Sequence, residues 1–407
     1  MIKQTQTKMF DFSDVGLDFC AGSKLLFPSV FKKFLATGYN QRTGATASIS
    51  GNQVTLNFGV SHGYAADRVL KVIATGGYSK EVYIDSVTDQ TVTFTDSSTT
   101  ALNGTITTYI APLGWSLLYE DSSVHLYKMK NLSEQDVYVR FVFQTNANYV
   151  TSVGVCVGMS ADTTTGTITD TATNILHATS TTPQVGFQFV LCQVATSQYN
   201  NYTYSQGYNN FGKGLIVGSI YHLAILCNGY FYANYMGEFN AILPCSTLYS
   251  DIDPLKTKMV VFGYNPQTLS NVAYTNQPLQ SAMAYLGNIP VKTRKDYNEL
   301  LFPMANNGYG LNSYFSNSID SFNTTACSPL PIIEASTSQH LGYIYGAYSV
   351  NYFNQNIPDL SNSANNPTIT NDIDFNNKII VQMTSYSTQL SASAFIAVPL
   401  EEIKIVS

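Results

Sequence analysis

The chain has 407 residues, of which 44% are hydrophobic and only 11% charged, with a formal net charge of −6 and a pI near 5.3. Ordinary soluble domains carry roughly 25% charged residues, so the polar surface here must be built from Ser, Thr, Asn, Gln and Tyr, groups that desolvate against a neighbouring subunit at modest cost. A nucleic-acid binder needs clustered Lys and Arg to displace phosphate counterions; the acidic balance and the absence of a long basic run exclude that class, and Lys32-Lys33 reads as a solvated helix face.

At about 100–200 residues per domain the chain should hold two or three folded units. Cysteines 20, 156, 192, 227, 245 and 327 include no C-x-x-C pair and meet no clustered histidine. They read as free thiols, with no metal and no cofactor expected. Met1–Gln6 leads into polar sequence without an apolar signal-peptide core, so the product is expected to start in the cytoplasm.

The first predicted element is a helix within Leu25–Tyr39, where Val30, Phe31, Phe34 and Leu35 share a face and Gly38 supplies the stop. Six short β-branched runs follow: Ala47–Ile49, Val54–Leu56, Val69–Ile73, Glu81–Ile84, Thr91–Phe94 and Thr105–Thr107. Strands this short bury little alone, so they predict a small barrel or sandwich module. Ala111-Pro112-Leu113-Gly114-Trp115 then marks a boundary, and longer strands are expected in Val124–Met129, Val137–Gln144, Val153–Met159, Gly186–Val194, Gly214–Leu226, Tyr230–Tyr235 and Met259–Gly263. In Val137–Phe143 the alternation puts Val137, Val139, Phe141 and Phe143 on one face.

Gly214–Gly237 contains no Asp, Glu, Lys or Arg and is long enough to raise a membrane helix. Asn228-Gly229 between two apolar runs instead predicts a hairpin turn, because both residues tolerate positive φ. Ser160–Gln184 and Gln198–Asn210 are too polar to pack alone and predict surface loops. From Pro290 to Thr370 extended, irregular segments are expected, before two returning strands in Lys378–Met383 and Ala394–Pro399. The predicted fold is all-β: a small β-barrel or sandwich module inserted before a larger antiparallel, jelly-roll-like β-sandwich, with one short N-terminal helix. The expected divisions are 1–44 (helical segment), 45–110 (module), 111–290 (main sandwich) and 291–407 (irregular region returning to the sandwich).

Candidate chemistry is sparse. Gly59-Val60-Ser61-His62-Gly63 matches the G-x-S-x-G nucleophile elbow, but a strand-like run follows almost at once where a helix is required, so a turn is expected. Histidines 62, 125, 177, 222 and 340 are scattered without metal-ligand spacing. Glu120, Glu238, Asp251 and Asp253 could in principle supply a glycosidase pair, and Asp162, Asp170, Asp251 and Asp253 loop oxygens for calcium, yet neither set has a defining spacing. No catalytic residue is assigned, and no enzyme activity is expected. Tyr199, Tyr202, Tyr204, Tyr208 and Phe211 form the contact candidate, since tyrosine offers an apolar face and a hydrogen-bonding edge to a second subunit or to a sugar ring.

The order of motifs resembles a group of tailed-bacteriophage virion structural proteins, usually tail-module components with an inserted small β-module. The matching features run from Gly38-Tyr39 through Ser61-His62-Gly63-Tyr64, Thr93-Phe94-Thr95, Ala111–Trp115 and Val124–Lys128. They continue through His222–Asn228, Gly229–Tyr232 and Phe262-Gly263 to Phe395–Pro399. Lys292–Leu311 departs from the pattern, offering Arg294 and Leu301-Phe302-Pro303 in place of a compact Arg-Gly and Pro-Gly-Leu turn. The resemblance implies a tail, baseplate or tail-collar subunit of the virion, assembled in the host cytoplasm. Its partners would be copies of itself and other virion proteins, with a host surface glycan as a further candidate and neither nucleic acid nor membrane as a partner. The alternative is a capsid decoration or a receptor- or glycan-binding fibre protein.

Overall fold

The computed structural model describes residues 5–98, 101–171, 173–192, 199–228, 237–249, 252–266, 278–294, 301–302, 326–351, 367–370, 378–384 and 393–403. The chain is all-β with a short helix near its N-terminus, as the alternating and β-branched runs predict. Strand β1 is Lys8–Asp11. Helix α1, Phe27–Lys32, is entered by a 3-10 turn at Lys24–Leu26 and left by a π turn at Lys33–Thr37. The Gly38 N–H donates to Lys33 O at 2.8 Å, and Gly38 then takes a φ of +75°. A Cβ there would lie 2.5 Å from the Ile110 carbonyl oxygen, so only glycine fits this stop.

Strands β2 (Tyr39–Ser50), β3 (Gln53–Asn57), β4 (Val69–Ala74), β5 (Ser79–Val87), β6 (Thr91–Thr95) and β7 (Ile106–Ile110) close into a barrel in the order β2-β3-β6-β5-β4-β7. All six predicted runs are strands, and the barrel starts at Tyr39 rather than residue 45. Val54, Leu56, Val82, Ile84, Val92 and Phe94 point inward and are buried, while Thr55 and Thr93 meet on the outside at 3.3 Å. This period of two is what a sheet with one wet face demands.

The body contains β8 (Ser116–Asp121), β9 (Val124–Lys130), β10 (Asp136–Phe143), β11 (Thr151–Gly158), the short pair β12 (Ala161–Asp162) and β13 (Thr167–Ile168), and β14 (Gln188–Cys192). After helix α2 (Tyr204–Phe211) come β15 (Gly214–Ser219), β16 (His222–Asn228), β17 (Gly237–Thr247) and β18 (Met259–Tyr264). The last set is β19 (Ala282–Leu286), β20 (Ile289–Lys292), β21 (Ala326–Glu334), β22 (His340–Asn351), β23 (Thr368–Thr370), β24 (Lys378–Thr384) and β25 (Ser393–Pro399). Apart from β12 and β13, the body strands and β1 form one seventeen-stranded sheet.

The N-terminal helix packs on β10 and β1 of that sheet. Phe31 sits edge-on to Phe141 at 5.2 Å and Phe143 at 5.3 Å on β10, while Phe34 lies 6.4 Å from Phe10 on β1. Beyond this first core, β15–β17 are buried on both faces. Ile216, Leu223, Ile225 and Ile242 belong to the first core, which includes the helix; Leu215, Val217, Leu226, Phe239 and Leu243 belong to a second core that β19–β22, β24 and β25 help to build. A strand buried on both faces reads as a continuous apolar run, which accounts for the missing charges along β15 and β16. No helix among the described residues is long and apolar enough to cross a membrane.

Three expectations change, and a fourth lies partly outside the described residues. Gly214–Leu226 is two strands, because the chain reverses at Ile220-Tyr221 with Ser219 opposite His222. Neither turn residue has positive φ; the reversal is held from outside, with Ile220 O accepting from Lys130 N–H at 2.9 Å and Ser219 O from the Trp115 indole at 2.9 Å. Asn228, expected in the turn, ends β16 opposite Gly237, while Gly229 and the expected Tyr230–Tyr235 strand fall in 229–236, outside the described residues. The interval from Pro290 to Thr370 is not wholly irregular, since β21 and β22 form a long hairpin within it. Gln198–Asn210 is not a simple loop, because α2 begins at Tyr204.

Candidate functional site

The tyrosine-rich segment is built onto the N-terminal region. The Thr203 N–H donates to Gln206 Oε1 at 2.9 Å, the backward half of a T-x-x-Q capping box, and this starts α2. At its end Phe211 is buried against Gly22, where a Cβ would come within 2.4 Å of the ring. Tyr199 stands edge-on to Tyr202 at 5.0 Å and to Phe211 at 5.2 Å. Ser23 Oγ donates to Tyr199 O at 3.0 Å, the Leu25 N–H to Asn200 O at 3.0 Å, and the Tyr204 N–H to Asp18 O at 3.1 Å.

Beneath this cluster Lys24 is only 1% exposed. Its ammonium donates to Ala147 O at 2.9 Å and to Tyr149 O, and burial pushes its pKa down to about 8. Asn200 Nδ2 donates to the same Ala147 O at 3.2 Å. Phe211 therefore belongs to the interior of its own chain. Tyr199, Tyr202 and Tyr204 are half-buried beside exposed Asn201, Ser205 and Gln206, and Tyr208 lies in α2 with its side chain outside the described residues. The product is a neutral surface of ring edges, amides and hydroxyls on a fixed base. Such a surface can pack against a neutral protein surface or a sugar ring.

A second construction was not legible as a site. Arg140 falls on the face of β10 opposite Val139 and Phe141 and is 1% exposed. Its Nε donates to Gly166 O at 2.6 Å, and Nη1 to His177 O at 2.6 Å and Ser180 O at 2.7 Å. Burial lowers the guanidinium pKa. The polar 160–184 segment is thus strapped over β10 and β11 by a cation that meets three carbonyls. A charged residue within the apolar alternation of Val137–Phe143 was the available signal.

The remaining candidates stay apart. Gly59 and Gly63 take φ values of +68° and +71°, and the chain passes into β4 without a helix, so the G-x-S-x-G match has turn geometry. His62 accepts the Tyr64 N–H at Nδ1 (2.9 Å), which leaves Nε2–H to donate to Thr91 O at 3.1 Å. His222 is buried with Nδ1 2.8 Å from Ser219 Oγ, and burial lowers its pKa to about 3. Burial likewise holds His125 and His177 at about 4. His340 lies 4.9 Å from the Tyr343 ring.

Glu120 is exposed and paired with Lys32 at 2.6 Å, Glu238 is buried opposite Cys227, and Asp253 is paired with Lys256 on the surface; Asp251 is outside the described residues. Asp162 binds the Thr164 N–H at 2.8 Å and Asp170 the Met159 N–H at 2.9 Å. Among the described residues no three His, Cys, Asp or Glu side chains are grouped as metal ligands. All six cysteines are free thiols, five of them buried. Compared with known protein families, curated proteins and solved structures, the chain matches none.

Proposed function

We propose that this chain is a structural component of a tailed-phage virion, a tail, baseplate or tail-collar subunit that acts through symmetric packing with copies of itself and other virion proteins. The observation that carries this reading is the position of the barrel. It lies between the Gly38 helix stop and the Ala111–Trp115 segment, where the virion proteins it resembles carry their inserted β-module. The charge-poor composition and the neutral tyrosine surface support it, because little hydration is lost when such surfaces meet. Closed rings are the usual solution for repeated contacts between identical subunits. Antibody labelling of purified particles, viewed by negative-stain microscopy, is expected to mark the tail or its junction with the head. Absence of the protein from purified particles refutes the assignment.

The half-buried Tyr199, Tyr202 and Tyr204 favour one second reading, a decoration or glycan-binding fibre protein. Adsorption of the isolated protein to host cells, lost on Tyr202→Ala, supports that reading, and no adsorption removes it.

A further inference from the structure

The junction between barrel and body has an unusual make-up. The barrel closes on itself and fills its interior with its own side chains, and the chain enters and leaves it at one place, because Tyr39 and Ile110 are partners in the β2–β7 ladder. Away from that crossing, the body reaches the barrel through β1 and the loop after it. Asp14 on this loop takes the Arg68 guanidinium at both oxygens, Nε to Oδ2 at 2.8 Å and Nη2 to Oδ1 at 2.9 Å. The Tyr39 hydroxyl donates to the same carboxylate at 2.7 Å, and the paired side chains are 7% and 8% exposed. Lys8 on β1 adds a contact to Glu81 of β5 at 2.7 Å, and Val15 packs over Gly63, where a Cβ would lie 3.1 Å away.

We propose that Asp14 and Arg68 form a latch, which fixes the docked position of the barrel without being required for the barrel's own fold. Breaking it frees the barrel to turn about the paired Tyr39 and Ile110 crossing. The physical basis is the chemistry of the seam. A buried ion pair is costly to desolvate, and both members regain water on opening, so an opened state lies closer in free energy than it would across an apolar seam of equal area. A bidentate pair also fixes orientation as well as distance, which sets one docked angle. The inference does not depend on the virion assignment and can fail without affecting it.

Hydrogen exchange on the intact protein tests it. In Asp14→Asn, amides of residues 11–18 and 61–68 are expected to exchange at least about tenfold faster, while the ladder amides of Val54, Leu56, Val92 and Phe94 keep their protection. Arg68→Lys retains the charge but loses the fork, and is expected to give a smaller change at the same amides. Loss of protection through the whole barrel overturns the proposal, because the pair would then be part of the barrel's fold. Unchanged exchange at the junction overturns it as well. Should Asp14→Asn fail to fold, Arg68→Lys, which weakens the same pair, carries the test alone: the junction loosens while the ladder holds, and a uniform response or none overturns the proposal.

Discussion

The barrel and the central strands hide apolar side chains in opposite ways. In β3 the chain alternates, Val54 and Leu56 inward, Gln53 and Asn57 in water. In β15 and β17, by contrast, one set of side chains enters the first core and the alternate set enters the second core, built with β19–β22, β24 and β25. An alternating strand needs one covering layer, and the barrel supplies that layer by closing on itself. A uniformly apolar strand needs two, and both must come from distant parts of the chain. Alternation thus marks a unit that can stand alone, and uniform apolarity marks dependence on the rest of the molecule.

Acidification should separate the two regions most. Unfolded histidine takes up a proton near its ordinary value of about 6.5, whereas folded His125 and His177 do so only at about 4 and His222 at about 3. Stability should be full above pH 7, fall as pH drops from about 6.5, and stop falling near the folded values, because the unfolded state binds more protons across that window. All three residues lie in the body, so body amides should lose exchange protection before barrel amides; simultaneous loss would break the distinction. Phe31→Ala, which empties the centre of the ring cluster, should cost about 3–5 kcal/mol. Denaturant unfolding followed by fluorescence of the buried Trp115 should report that loss, with the barrel ladder less affected.

Arg140→Met leaves three strapped carbonyls without their donor and should cost about 1–3 kcal/mol. Its signature would be faster proteolytic cleavage within 160–184, with the β10–β11 ladder intact. Thr93→Val on the outer barrel wall should change stability by less than about 0.5 kcal/mol. A larger effect in thermal unfolding would show that the outer wall is not simply solvated.

The barrel was legible in the sequence because its strands alternate and all but the Thr88–Gln90 turn carry Gly or Asn. The helix was legible from Phe31, Phe34 and the Gly38 stop. The reversal at Ile220-Tyr221 was not, because its stabilising partners, Lys130 and Trp115, lie some ninety to a hundred residues upstream. The β21–β22 hairpin was obscured by Pro329 and Pro331, which lack an N–H and argue against a strand; the ladder accommodates them with a register shift between the two. Thr203 and Gln206 carried a helix-start signal that the surrounding Tyr and Asn outweighed. Of the candidate site, the neutral aromatic composition could be read directly. The anchoring by Ser23 and Lys24 could not, since it joins segments separated by more than a hundred residues.

The two-sided burial of the central strands also has a kinetic consequence. β15 pairs with β1 from the start of the chain, while the second core is not complete until β24 and β25 have been made. Thr7 even bonds to Glu401 O across 394 positions. During synthesis the apolar β15–β17 segment must therefore wait uncovered on one side for the last strands to emerge, in a topology whose long loops slow closure. The barrel, complete by residue 110, can form on the ribosome well before that. Overproduction without a chaperone should accordingly yield aggregates that contain a folded barrel attached to an unfinished body.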